Sequence, residues 1–257
     1  MHRVEATLKF FRNRHRVRVG TVVHWLGLHQ FSVLVSMMVL FGGAWVFIEL
    51  ADDIMERETA SIDERVLLSL RNPVDRSDPL GPGWVEEIGR DITALGGTAV
   101  LALITLAAFF YLVLQRKFRA AIFTIAAIGG GVLLSTLLKI GFDRPRPDLV
   151  PHESIVYTAS FPSGHAMLSA ITYLTLAALL SRIHSNNLVK TYLMAVAVLF
   201  TLLVGTSRVY LGVHWPTDVL AGWTAGAAWA AFMWLLERQL QRIGLVEGES
   251  ENERIDH

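Results

Sequence analysis

The sequence predicts an all-α fold, a bundle of six transmembrane helices. Hydrophobic residues fill 53% of the 257 positions, charged residues only 18%, and the mean hydropathy is +0.43. That balance is too apolar for an ordinary soluble domain of this length. The apolar residues are gathered into six runs separated by polar or proline-containing links, and runs near twenty residues cross a hydrocarbon core of ~30 Å at ~1.5 Å per residue. Charge is segregated as well: Arg3, Lys9, Arg12, Arg14, Arg16 and Arg18 lie at the start and a mostly acidic tail follows Glu247. The formal net charge of +0 therefore says little about partners, and no nucleic-acid signature appears. With no cysteine, the chain has no disulfide framework, no thiolate nucleophile and no cysteine-ligated zinc or iron-sulfur site.

Residues 1–30 read as a basic cytoplasmic segment, with His24 and His29 at the membrane interface. The first run, 31–50, is read as an uncleaved span rather than a signal peptide, because the basic segment and the apolar run are both long and no small-residue cleavage pattern precedes Ala51-Asp52-Asp53. Residues 51–93 form a polar insert carrying Asp52, Asp53, Glu56, Glu58, Asp63, Glu64, Asp75, Asp78, Glu86 and Glu87 among its acids. Apolar residues at helical spacing over 62–70, and breakers at Asn72-Pro73 and over 79–83, predict one or two short helices joined by turns in a solvated surface segment. The remaining runs are 94–114, 120–138, 165–180, 188–205 and 216–236. Glycines 129–131 and the pair Gly222 and Gly226 predict close helix approach within the bundle.

The short links around Arg116-Lys117 and Arg182 are basic, so the positive-inside rule places them, both termini and the charged tail 237–257 in the cytoplasm. Residues 31–236 then form one membrane domain. The segments 139–165 and 207–218 come together on the outer face, an inference that assumes nothing about chemistry.

Both segments carry polar residues that need a reason. Lys139 is followed by Asp143-Arg144-Pro145-Arg146-Pro147, where two Arg-Pro pairs stop the helix and stiffen the turn; three cations there suit an anion clamp. Phe161-Pro162-Ser163-Gly164-His165 opens the fourth span. It presents a hydroxyl, backbone N–H groups suited to phosphate oxygens, and an imidazole able to protonate a leaving oxygen. In Ser207 through Asp218, Pro216 suits the first helical position. Asp218, in the first turn, can reach back to His214, and a histidine held by an aspartate with Arg208 nearby is the pattern of an activated nucleophile facing an anion. Each block also has an ordinary reading: snorkelling cations, a helix cap, and an interfacial turn. The acids Asp143 and Glu153 form no recognisable cation cage, and His152 reads as a loop or substrate-rim residue.

Taken together, the three blocks resemble the signature of the type 2 phosphatidic acid phosphatase (PAP2) superfamily, which includes vanadium haloperoxidases and bacterial acid phosphatases. Lys139 and Arg146-Pro147 fit its first block, Pro162 to His165 its second, and Ser207-Arg208, His214 and Asp218 its third. Arg144 lies at the wrong distance from Lys139 and is left as support. The resemblance implies a PAP2/haloperoxidase-like helical core and a membrane lipid phosphate or diphosphate phosphatase that needs no metal or other cofactor. In that scheme His214 attacks phosphorus to form a phosphohistidine, Asp218 orients it and His165 protonates the leaving group. Lys139, Arg146, Ser163, Gly164 and Arg208 hold the phosphoryl oxygens. The expected setting is a bacterial cell membrane, with membrane lipids around the spans, the site on the extracytoplasmic face, and phosphatidate, phosphatidylglycerophosphate or undecaprenyl pyrophosphate as substrate. Alternatives are a vanadate-dependent haloperoxidase and a non-catalytic lipid-binding or transport protein.

Overall fold

The computed structural model describes residues 31–147, 159–182 and 186–246. The basic segment 1–30, His152, Glu153 and the tail from residue 247 lie outside the described residues. Eight helices are described: α1 Phe31–Met55, α2 Ala60–Ser69, α3 Gly83–Ala94, α4 Thr98–Leu114, α5 Phe118–Gly141, α6 Gly164–Ser181, α7 Asn187–Tyr210 and α8 Pro216–Arg242. Five of them, α1 and α5 to α8, are long and apolar enough to cross a membrane.

The expected second span is organised differently. The sequence predicts it from residue 94, but the chain breaks at Leu95-Gly96-Gly97, leaving α4 at 17 residues and α3 inclined to it by 47°. At ~1.5 Å per residue α4 alone is about 25 Å long, short of a ~30 Å core; counted with the C-terminal part of α3 as one broken span it brings the number to six. The break has a packing reason. A Cβ on Gly96 would lie 2.3 Å from Val204 and 3.4 Å from His165, so only a glycine lets this turn press onto α6 and α7. The Tyr173 hydroxyl donates to Leu95 O at 2.8 Å, satisfying a carbonyl that the interrupted helix leaves open.

α6 is the centre of the bundle, packed chiefly against α7 and α8. Its buried residues Ala166, Ser169, Ala170 and Ala177 are small, and α8 answers with Ala221, Gly222 and Gly226. Where lipid offers the same apolar surroundings as a neighbouring helix, close backbone approach supplies the packing energy. A Cβ on Gly222 would meet Ser163 O at 2.7 Å, and one on Gly226 would meet Met167 O at 2.6 Å. Of the three consecutive glycines in α5, Gly130 and Gly131 face Trp229 and Ile171, whereas Gly129 faces open space. Trp223 and Trp229 donate their indole N–H groups to Thr201 O and Ala127 O, both at 2.9 Å, joining α8 to α7 and α5.

α8 extends past the expected boundary at 236 to Arg242. Glu237 is buried there and pairs with Arg182 at the end of α6 at 3.1 Å, so the start of the expected tail is part of the bundle. The insert also departs from a solvated segment. α2 and α3 are the two short helices expected, but Asp63, Leu67 and Arg71 are buried. Leu67 packs with Ala166, Val209 and Val219, under the ends of α6, α7 and α8.

Gly226→Ala is expected to lower the stability of the detergent-solubilised protein by about 1–3 kcal/mol, because the backbone of α6 must move. Gly129→Ala, with free space and a better helix former, should leave it unchanged or raise it by up to ~1 kcal/mol. Thermal unfolding of the two variants side by side checks this, and equal shifts would contradict the packing described.

Candidate active site

All eight residues singled out from the sequence sit at one end of the bundle. Lys139 lies in the last turn of α5, Arg146 on the link that follows, Ser163, Gly164 and His165 at the start of α6, Arg208 in the last turn of α7, His214 on the next link, and Asp218 in the first turn of α8.

The turn between α7 and α8 is built by backbone hydrogen bonds. Val213 N–H donates to Arg208 O at 3.2 Å and Gly212 N–H to Val209 O at 2.9 Å, the paired bonds of a Schellman ending. Gly212 has φ +74°, a left-handed conformation that favours glycine. The chain thus reverses within a few residues and delivers His214 directly before Pro216 starts α8. Arg71, from the insert, closes the same helix end by donating Nη2 to Tyr210 O at 2.7 Å. Burial lowers the Arg71 pKa from its ordinary value, opposed by Tyr210, Glu86 and Asp78.

Asp218 has no exposed surface. Its Oδ2 accepts from Trp215 N–H at 3.0 Å and, in a short bond, from the Ser160 hydroxyl; it also lies 3.4 Å from His214 Nδ1. Its Oδ1 accepts from Arg144 Nη1 at 2.6 Å. With Nδ1 turned toward a carboxylate, the imidazole proton belongs on Nδ1, which leaves the lone pair on Nε2. Arg146 Nη1 is 3.2 Å from that Nε2 and donates to Val213 O at 2.8 Å. Burial pushes the His214 pKa down to about 4, with Asp218 pulling it up and Arg146 and Arg208 adding to the depression. At neutral pH His214 is therefore an uncharged base. Burial also lowers the Arg146 guanidinium, opposed by Asp218, but an arginine stays cationic across the physiological range.

The other cations gather around this histidine. Lys139 Nζ donates to Ala159 O at 2.8 Å, and its Cε is 3.3 Å from where a Cβ on Gly164 would stand. A Cβ at Gly164 would crowd the lysine and require it to shift by a few tenths of an ångström. Lys139 also borders an open depression with Thr136, Ile140, Asp143 and Ala159. Arg208 donates Nη1 to Thr93 Oγ1 at 3.1 Å, and its buried Nε has no acceptor among the described residues. His165 packs on Gly96 and lies in electrostatic range of Arg208, His214, Lys139 and Arg146. Ser163 caps α6 by accepting from Ala166 N–H at 3.5 Å, and its own N–H donates to Asp218 O at 2.9 Å.

Several contributors were not singled out in the sequence. Ser160 carried no signal that marks it. Thr93, Thr217 and Arg71 act through contacts remote in sequence. Asp63 was one of many acids in the insert, yet its spacing held a cue: with Leu67 and Arg71 it falls at i, i+4 and i+8, the stripe that proves buried. Chemically, the arrangement offers a neutral imidazole with its lone pair turned toward an arginine, a carboxylate on its other nitrogen, and a second histidine and two more cations around it. It can receive a tetrahedral anion next to a nucleophile.

Residues 119–242 match the family model described as the PAP2 superfamily. The chain is 39% identical over 151 residues to a Bacillus subtilis (strain 168) phosphatidylglycerophosphatase B, covering 56% of this chain and 70% of that one. It is 34% identical over 114 residues to an undecaprenyl-diphosphatase of Sulfolobus acidocaldarius, covering 43% of this chain and 49% of that one. It is 29% identical over 170 residues to a lipid A 1-phosphatase of Rhizobium etli, covering 56% and 68%. The crystal structure of a transmembrane PAP2 type phosphatidylglycerolphosphate phosphatase from Bacillus subtilis superposes with a TM-score of 0.67 at 29% identity, over 80% of this chain and 98% of that one. The chain is an integral membrane protein of the PAP2 superfamily, among relatives named as phosphatases.

Proposed function

We propose that this chain removes phosphate from a lipid phosphate or diphosphate through a phosphohistidine on His214. The observation that carries the proposal is the placement of His214, with Nδ1 facing Asp218 and Nε2 beside Arg146 at 3.2 Å. A phosphoryl group drawn to Arg146 arrives next to the lone pair that attacks it. Lys139, Arg146, Arg208 and the N-terminus of α6 hold the equatorial oxygens, which is most of what phosphoryl transfer asks of a protein. The Arg208 Nε, without an acceptor among the described residues, is a donor that suits an added oxygen. Asp218 stabilises the imidazolium character that develops on His214 as its Nε2–P bond forms and the P–O bond to the leaving group breaks. His165, protonated when the anionic phosphate sits beside it, gives that proton to the leaving oxygen. Water then attacks the phosphohistidine, with His165 as base, releasing inorganic phosphate and restoring His214. No step calls for a metal ion.

The names of the relatives supply the substrate candidates: phosphatidylglycerophosphate, undecaprenyl diphosphate and lipid A phosphate. We place the site on the extracytoplasmic face of a bacterial cell membrane, because Arg116, Lys117, Arg119 and Arg182 lie at the opposite end of the bundle.

Purified protein assayed on a panel of lipid monophosphates and diphosphates should release phosphate, in the presence of a chelator as in its absence. His214→Ala should reduce release to background in a folded protein. Asp218→Asn should slow it by a factor on the order of 10³ or more, through loss of the tautomer and orientation of the imidazole. A folded His214→Ala enzyme that turns over normally would sink the mechanism.

The depressed His214 pKa sets the acid side of the pH profile. His214 attacks only when neutral, so kcat/KM corrected for substrate ionisation should hold its plateau well below pH 6 and fall as pH drops through about 4. An acid limb centred at the ordinary imidazole value of 6.5 would show that burial does not keep His214 neutral. Orientation is tested by reporter fusions after Leu114 and after Leu236; both are expected to report cytoplasm, and two external signals would reverse the assigned face.

A further inference from the structure

Asp63 belongs to the polar insert and is remote in sequence from the three signature blocks, yet it is fully buried against them. Its Oδ1 accepts from Thr217 N–H at 3.0 Å, in the first turn of α8. Its Oδ2 accepts from Thr217 Oγ1 at 2.6 Å and from Arg144 Nη2 at 2.7 Å. Arg144 uses its other nitrogen, Nη1, on Asp218 Oδ1 at 2.6 Å and on Thr217 Oγ1 at 2.9 Å. The guanidinium is thus shared between two buried carboxylates, one on α2 and one on α8, and it lies over the Trp215 ring at 5.7 Å from its centroid.

From this geometry we infer that Asp63 is a positioning residue for the reaction, acting through Arg144 to fix the rotation of the Asp218 carboxylate. The inference rests on the reading of His214 as nucleophile. With Nη2 held by Asp63, Arg144 presents only Nη1 to Asp218 and binds only Oδ1. Oδ2 remains directed at His214 Nδ1, together with Ser160 and Trp215 N–H. A guanidinium released from Asp63 has both nitrogens available, and its preferred partner geometry is the bidentate fork on one carboxylate. Engaging both oxygens of Asp218 turns Oδ2 away from Nδ1 and loosens the imidazole. Asp63 therefore matters less as a charge than as a competitor that keeps Arg144 monodentate. It also ties the 51–93 insert to the orientation of the nucleophile, beyond packing at the mouth of the bundle.

The test is a double-mutant cycle with Asp63→Asn and Arg144→Gln, assayed on the most active lipid of the substrate panel. Asn keeps the Oδ1 acceptor for the α8 N-terminus and removes the hold on Arg144. Each single variant is expected to lose about tenfold in kcat with KM within about twofold, and the double variant to be no slower than Arg144→Gln alone, because residues acting along one path do not add. A purely structural Asp63 gives a different pattern: kcat per folded molecule unchanged beside a lowered unfolding temperature, or losses that multiply in the double variant. Either result overturns the inference. If Asp63→Asn is not recovered folded, Asp63→Ser takes its place. It leaves a hydroxyl near Thr217 and no carboxylate for Arg144, so it should show the same loss in kcat, and full kcat would overturn the proposal. His214→Ala run alongside separates the two levels: activity in that variant rejects the nucleophile assignment itself, whereas an inactive His214→Ala beside a fully active Asp63→Asn rejects only the positioning role.

Discussion

A carboxylate removed from water next to a hydrocarbon layer is the constraint on which the site depends. Asp218 is stable as an anion only if its lone pairs are met, and its partners come from different parts of the chain. Ser160 precedes α6, Trp215 N–H lies at the N-cap of α8, Arg144 follows α5, and His214 sits between α7 and α8. Satisfying one buried group therefore fixes two separate links, α5–α6 at two points and α7–α8, in register. Removing one partner from such a set is expensive, of the order of 3–5 kcal/mol for a buried ion pair, so the geometry is held much more firmly than surface loops usually are.

The spans serve that geometry by approaching closely. Small residues along α6 and α8 bring the N-termini of both helices together, so that Ser163 N–H reaches Asp218 O at 2.9 Å. The same economy of side-chain volume appears at Gly96, where the absence of a Cβ lets the α3–α4 turn press onto Val204 of α7. The cations are then held by neutral oxygens: Lys139 by Ala159 O and Arg208 by Thr93 Oγ1. Such bonds orient a positive group without cancelling its charge, which suits a site that must receive an anion. The Asp218 charge, by contrast, is matched by Arg144.

The insert between α1 and α4 is the least expected part of the molecule. Arg71 closes the end of α7, Leu67 packs beneath α6, α7 and α8, Thr93 holds Arg208, and Asp63 reaches the start of α8. The segment is a wall of the site, although its composition reads as a solvated surface.

The sequence by itself determined the fold class, five spans with ends displaced by up to six residues, and the identity of the clustered residues. Apolar runs set the spans, because a helix in lipid must satisfy its backbone internally. The spacing of Lys139 and Arg146, of Pro162 to His165, and of Arg208, His214 and Asp218 is local information that a chain carries whether or not it is folded. The division of labour between Arg144 and Arg146 was legible only as a count from Lys139. The tertiary structure gives it a cause, since one guanidinium is bound by two carboxylates and the other lies beside Nε2 of His214. The bend between α3 and α4, the burial of Asp63 and the role of Ser160 were decided only by folding. Each depends on a partner 50 or more residues away, and a buried polar group is chosen by the neighbours that satisfy it rather than by the residues beside it in the chain.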